Sequence, residues 1–533
     1  MGKPTALDLS VTSPLNPLTL LEAGVTAGAA AKATEERKLK ANTGKCADLG
    51  WGFLFQTWVP FDYIIGKSKS VVTHELYGRM SINLVRANAT AILSRSVPPP
   101  ELHRIGNSHF PPVVESSLLP NMDILWVPIG DFVHCSRFIA EKGATPITLL
   151  KALVDVSAVD LHVAFSILCM CGSYCKLVLL ARATPPSHCA DYLKLFDEEQ
   201  AQLSPSLGGF GFGSLALHSS AAFIASFASS GFCSSENIRM LQAVTRFNAQ
   251  VHPLESTTAE AVLACPPLQR ALSKKLDNHA FQSLLSSSSQ VNKTRILSVS
   301  APHAGSWISA TPSTGLDLHL DSAECQVALR WWLGLDTSGG SPCPLCPDTA
   351  LDPLGHHAAT CRHGGDVVAR RNRLRDIFAN FCCRAHLSVQ VKVGYGLARD
   401  HINSRPADIL VEGWDREKPA AFDVTVTSPL TPVSLNNASA SVGAAAYAAE
   451  CRKHAANDTR CQELGWLCIP LAVETYGNWG KEAQSVFSPL ASLLSISQAI
   501  PKPKMLSEIY SRLNMSLVRS VARAIMGREA VQG

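Results

Sequence analysis

Helical spacing dominates the middle of the chain. Apolar residues recur three and four positions apart through 145–183, 214–229 and 236–250, and a Gly/Ser-rich break at 204–214 separates the first two stretches. The run Ser286 to Ser289 predicts another loop, and a second helical patch surrounds Val327 to Leu335 before a Gly/Ser/Pro turn. The last third changes period. Residues 366–386 read as a basic helix. Residues 407–412 (ADILVE) and 420–427 (AAFDVTVT) predict strands joined by a polar turn with Gly413, Asp415 and Pro419. A helix over about 434–456, a strand at 466–474 and closing helices from about 481 follow. This order predicts a multidomain chain, with a helical middle region and a C-terminal α/β domain.

A long-range repeat sharpens that division. Residues 6–51 align without a gap to 421–466, with roughly half the positions identical, and 77–95 resembles 510–528. Copies so far apart are a duplicated module, not a stacked solenoid. Asp8 matches Asp423 and Lys38 matches Lys453. The N-terminal copy has nothing upstream to match the rest of the C-terminal domain. The strand-like 468–480 has no recognisable counterpart in it, so it reads as truncated and non-catalytic.

The boundaries expected are 1–97 for the partial repeat and 98–120 for a Pro-rich linker. They continue with 121–300 for the helical region, 301–342 for a helical connector, 343–365 for a Cys/His segment and 366–528 for the α/β domain. The apolar stretch 162–181 holds Lys176, with Asp160 and His162 at its start, and reads as buried helix rather than membrane span. Residues 1–20 lack a basic segment followed by an apolar run, so no secretory signal is expected.

Composition adds limits rather than a function. With 46% hydrophobic and 17% charged residues, the chain has the material for globular cores. A net charge of +4 over 533 residues does not by itself argue for nucleic acid. The 17 cysteines lack the dense spacing of a disulfide scaffold and read as thiols, some serving a metal.

Three features carry chemistry. Cys343, Cys346, His356 and Cys361 have the Cys3His composition of a closed, structural zinc site, with His357 an equally placed rival for His356. Arg370, Arg371, Arg373 and Arg375 follow on a helix suited to phosphate contacts. Asp408 and Asp423 lie on the two predicted strands, where a hairpin brings them together as a hard-oxygen site for Mg²⁺ that can act on a phosphodiester. Alternation puts Phe422, Val424 and Val426 on one face, and Asp423, Thr425 and Thr427 on the other. A lysine two residues after the second acid is missing, since Thr425 stands there. The next helix offers Glu450, Arg452 and Lys453.

Together these residues resemble the C-terminal end of a non-LTR retrotransposon polyprotein, in which a CCHC zinc knuckle precedes a restriction-like endonuclease of the PD-(D/E)xK superfamily. The resemblance implies that Asp408 and Asp423 bind Mg²⁺ and that Lys453 is the catalytic lysine. Ala407 separates Pro406 from Asp408, which the family has adjacent. Upstream, 121–300 is similar to the reverse-transcriptase thumb and connecting region. No Tyr/Phe-x-Asp-Asp motif occurs, so reverse transcription is not expected. The implied function is a Mg²⁺-dependent endonuclease that nicks target DNA, nuclear or cytoplasmic, with DNA and the element's RNA as partners and no membrane. The alternative is a catalytically inactive nucleic-acid-binding remnant.

Overall fold

The computed structural model describes residues 5–11, 52–58, 122–124, 127–129, 132–169, 214–229, 237–337, 340–391, 407–414 and 418–529, with single positions at 182, 186 and 209. It divides into two compact units, 1–100 and 101–533. Lys38 and the expected linker at 98–120 lie outside the described residues.

In the first unit, β1 (Thr5–Val11) and β2 (Gly52–Trp58) pair in parallel, with Asp8 opposite Phe55. The expectation that this copy lacks the second strand is therefore corrected. Its register reproduces that of the C-terminal copy, where Asp423 lies opposite Pro470. Backbone pairing asks only for a β-compatible stretch of the right length, so the strand survives where sequence identity does not.

The second unit is largely helical around one small mixed sheet. A short hairpin of β3 (Met122–Ile124) and β4 (Val127–Ile129) leads into α1 (Phe132–Val159) and α2 (Leu161–Ile167). Asp160 caps α2 by accepting from Val163 N–H, and His162, Ala164, Phe165 and Ser166 are buried. No helix among the described residues is long and apolar enough to cross a membrane. Next come α3 (Leu215–Ser229), α4 (Ile238–Asn248), α5 (Ala259–Ala264) and α6 (Gln269–Ser287). They share a core of Phe223, Ile224, Met240, Val244, Phe247, Leu272 and Leu276.

The serine run does end a helix: Ser289 caps α7 (Gln290–Val299) through Asn292 N–H. Helix α8 (Ser322–Leu333) begins in a reciprocal capping box of Asp321 and Glu324. It stops at Gly334, whose φ of 69° suits glycine and where a Cβ would sit 2.4 Å from Arg295 Nε. A hairpin of β5 (Pro342–Cys343) and β6 (Cys346–Ala350) and the short α9 (His356–Thr360) form the Cys/His segment, followed by α10 (Asp366–Arg384).

The sheet combines β7 (Ser388–Val391), β8 (Ile409–Glu412), β9 (Ala420–Thr427) and β10 (Leu467–Glu474) in the order β10-β9-β8-β7. Strands β7–β8 and β8–β9 are antiparallel, and β9–β10 is parallel across a helical crossover. The expected single helix is two, α11 (Pro432–Ala440) and α12 (Ala444–Glu463), divided at Gly443, whose φ is 80°. Helices α13 (Lys481–Gln498) and α14 (Lys502–Glu529) close the chain.

Alternation on the strands builds three layers. Ile409, Val411, Phe422, Val424, Leu471 and Val473 pack against α10, α13 and α14 through Phe378, Phe487 and Leu513. On the opposite face Ala472 meets Ala446 and Ala449 of α12, while Ala421 and Leu410 meet Cys461. Small residues allow the close approach of α12 that the site below requires. Every cysteine described is a free thiol.

At the end of β10, buried Glu474 accepts from Ser298 Oγ at 2.6 Å, Asn478 Nδ2 at 3.1 Å and Ala446 N at 3.3 Å. Burial raises its carboxyl above the ordinary 4.5, and those hydrogen bonds only partly oppose the rise. A raised carboxyl binds its proton more tightly in the folded state, so its stability contribution is full below pH 4.5 and lost as pH rises through the folded value. Glu474→Gln, a neutral isostere, should flatten this part of the pH dependence when urea midpoints are compared from pH 4 to pH 8.

Candidate active site and metal centre

The two aspartates do meet. Strand β8 begins one residue after Asp408, and Asp408 N–H still donates to Phe422 O at 3.0 Å. Its carboxylate then takes over as acceptor, receiving Val424 N–H at Oδ2 over 3.0 Å. The side chain thus continues the ladder where the strand's backbone leaves it, which fixes the carboxylate beside β9. Asp423 projects from β9 on the α12 face, as the alternation predicts. Both carboxylates are largely buried.

Arg371 of α10 joins them. Its Nη2 lies 2.7 Å from Asp408 Oδ1 and 3.1 Å from Asp423 Oδ1, and its Nε reaches Asp408 Oδ2 and Val424 O at 3.0 and 2.9 Å. One nitrogen touching both acids shows that they converge on a point a cation can share. From α12, Lys453 Nζ stands 2.7 Å from Asp423 Oδ2, and Asn457 Nδ2 donates to that oxygen at 3.0 Å. Lys453 and Asn457 are four apart and share a helix face.

Burial pushes the Asp408 carboxyl above the ordinary carboxylate value. Arg371 and Val424 N–H pull it down, while the charge of Asp423 adds to the rise. Two carboxylates this close need positive charge to stay ionised together. Arg371, 42% exposed, and Lys453, 27% exposed, supply it from the solvent side.

Glu450, on the same helix, has another role. It caps α13 by accepting Glu482 N–H at 3.1 Å, and a Cβ on Gly480 would fall 1.9 Å from its Oε1.

The four arginines of α10 divide by position, which corrects the expectation that all four are placed for phosphate contacts. Arg370 is buried and donates to Ala359 O at 2.7 Å, bracing the Cys/His segment. Arg375 is buried beside Asp376 and Asn372. Arg371 holds the aspartates, and Arg373 is exposed, reaching Ser520 Oγ at 3.3 Å. The reason is helical geometry: Arg370, Leu374, Phe378 and Phe381 fall on the stripe that packs inward.

In the Cys/His segment the structure selects His357 over His356. The ligand atoms of Cys343, Cys346, His357 and Cys361 all lie within 4.8 Å of one another. Cys346 Sγ is 3.0 Å from His357 Nε2 and 3.7 Å from Cys361 Sγ. Two sulfurs at tetrahedral positions about 2.3 Å from zinc would be about 3.8 Å apart, so this Cys3His set can hold a metal such as zinc. Burial raises the Cys343 thiol, but Leu345 N–H, His357 and Cys346 outweigh it and bring it down to about 6. Burial and the other two thiols push Cys346 up to about 12, which is the charge problem a bound cation relieves.

His356 instead turns inward, edge-on to Trp331 and Tyr476, and its buried ring nitrogens have no hydrogen-bond partner. Adjacent helical positions point about 100° apart, so only one histidine can face the thiols. Asp352 fixes the turn by accepting both His356 N–H, at 3.0 Å, and His357 N–H, at 2.6 Å. Gly355 has a φ of 71°, and a Cβ there would lie 2.6 Å from Thr337 Oγ1.

Sequence reasoning missed Arg371 as a carboxylate partner and missed Asn457 altogether. Asn457 carried a signal, because the N-terminal copy keeps it as Asn42 one turn beyond Lys38. Comparison with protein-family models finds none that matches the chain, and comparison with curated proteins finds no match.

His357→Ala should lower the zinc bound per chain, while His356→Ala should leave it unchanged and cost about 1–3 kcal/mol of stability through lost packing. Metal analysis of dialysed protein beside urea unfolding separates the two outcomes.

Proposed function

We propose that the chain is a Mg²⁺-dependent DNA endonuclease of the restriction-like kind, braced by a structural zinc knuckle and derived from a retrotransposon polyprotein. The observation that carries this reading is that Asp408, through Arg371, and Lys453 flank the two oxygens of the Asp423 carboxylate. The element order helix, three strands, helical crossover and parallel strand supports it, as does the Cys3His set directly before the first of those helices.

The residues suit the cation. Two carboxylates offer hard oxygens to a shared position, and a guanidinium nitrogen there already satisfies both. Asp408 and Asp423 would hold Mg²⁺, which would supply Lewis-acid polarisation of the phosphodiester and lower the pKa of water.

The remaining work falls to the chain's own groups. Lys453 places positive charge where a scissile phosphate gains negative charge as water's oxygen attacks phosphorus and a bridging oxygen leaves. Asn457 holds Asp423 Oδ2 in place. Arg371 and exposed Arg373 provide phosphate contacts beside the site. A phosphodiester is what this chemistry acts on, and DNA is the partner proposed, with the element's RNA a second candidate, in a nuclear or cytoplasmic setting.

One observation favours a second reading, an inactive nucleic-acid-binding remnant. Arg371 grips Asp408 with two nitrogens and also reaches Asp423, so it competes for the oxygens a cation needs.

The test is nicking of supercoiled plasmid by the full chain with Mg²⁺. Asp423→Asn should abolish nicking, and Lys453→Ala should slow it about 100- to 1000-fold. DNA retention in a gel shift should stay intact in both. Equal nicking by all three proteins would refute the site, and DNA binding without nicking by the wild type would establish the second reading.

A further inference from the structure

On the far side of Lys453, helix α12 carries a second set of ligand-type residues that the proposed nuclease does not use. We propose that His454, Asp458 and Cys468 form a cation site for a borderline divalent metal of zinc's class, between α12, β10 and the start of α13.

The spacing sets it up. Residues 454 and 458 are four apart, so they share one face of α12, and Cys468 comes to them from β10. His454 Nδ1 is 2.7 Å from Asp458 Oδ1. The ligand atoms of His454, Asp458 and Cys468 all lie within 4.8 Å of one another. Cys461, fully buried, hydrogen-bonds Cys468 from behind and stands outside that ligand set. The three donors are one imidazole nitrogen, one carboxylate oxygen and one sulfur. That mixture selects zinc-like ions, and thiols exclude Mg²⁺ as the natural occupant.

A separate observation points the same way. The other ring nitrogen of His454, Nε2, lies 2.7 Å from Glu482 Oε1. A carboxylate on the distal nitrogen is the arrangement that orients a metal-bound imidazole and raises its basicity. The side chains of His454 and Asp458 are 33% and 41% exposed, so an ion can enter from solvent.

The competing occupant is a proton. With both nitrogens facing carboxylates, His454 is stabilised as imidazolium, and a metal would displace the proton on Nδ1. The N-terminal copy has Leu39, Thr43 and Phe53 at the positions matching His454, Asp458 and Cys468, so it cannot form the same set. Bound metal would tie α12 to β10 beside Lys453 and Asn457, and would hold the helix that presents them to Asp423.

The experiment is metal analysis of the full chain after loading with Zn²⁺ and exhaustive dialysis. The wild type should retain about two equivalents per chain. His357→Ala should remove one, Cys468→Ser the other, and the double variant both. As a second check, His454→Ala and Asp458→Ala, at half-buried positions on the helix surface, repeat the measurement with folding checked by circular dichroism. Loss of one equivalent in these variants supports the site. A single wild-type equivalent abolished by His357→Ala alone, or two equivalents persisting in a His454→Ala/Asp458→Ala double variant, would overturn it. Plasmid nicking does not enter the readout, so failure here is distinct from failure of the nuclease reading.

Discussion

Two carboxylates buried side by side on neighbouring strands are the constraint around which the C-terminal part of this protein is arranged. Left alone they would repel, and one would take up a proton. Three elements answer that demand. Helix α10 contributes Arg371, α12 contributes Lys453 and Asn457, and the β9 backbone contributes Val424 N–H. The small residues Ala446, Ala449 and Ala472 follow from the same demand, because α12 must lie close for Lys453 to reach Asp423.

Neighbouring arginines link this site to the metal-ligand cluster. Arg370 turns toward Ala359 at the end of the Cys/His segment, and Arg371 turns toward the aspartates. Just beyond Ala359, Arg528 of α14 donates to His363 O and pairs with Asp366. Order in the Cys/His turn and order at the acidic pair are thereby set by one helix. Bound zinc would stabilise the framework of the site without touching its chemistry.

Much of this was legible in the sequence, for identifiable reasons. Strand β9 was legible because strict alternation separates Phe422 and Val424 from Asp423. The Asp408–Asp423 meeting followed from a hairpin of short connection. What stayed hidden depended on orientation rather than on residue type. His356 and His357 have the same chemistry, and only the packing of Trp331 and Tyr476 decides which turns inward. The arginine run looked available to phosphates throughout, because spacing alone does not tell which face of α10 packs inward and buries Arg370 and Arg375. Strand β7 was missed because an exposed edge of four residues carries little hydrophobic pattern. Gly52–Trp58 was missed because its counterpart was sought by identity, when strand pairing conserves register instead.

The adjacency of Arg370 and Arg371 also bears on how such a sequence can vary. A single residue gained or lost inside α10 between Asp366 and Arg370 would turn the rest of the helix by about 100° relative to its start at the Cys/His turn. Both arginines would then leave their partners together, Arg370 its carbonyl and Arg371 its carboxylates. Substitutions can accumulate on the outer face of that helix, but its length from Asp366 to Arg371 is fixed to the residue. Descendants of this chain can therefore drift in composition far more readily than they can change spacing.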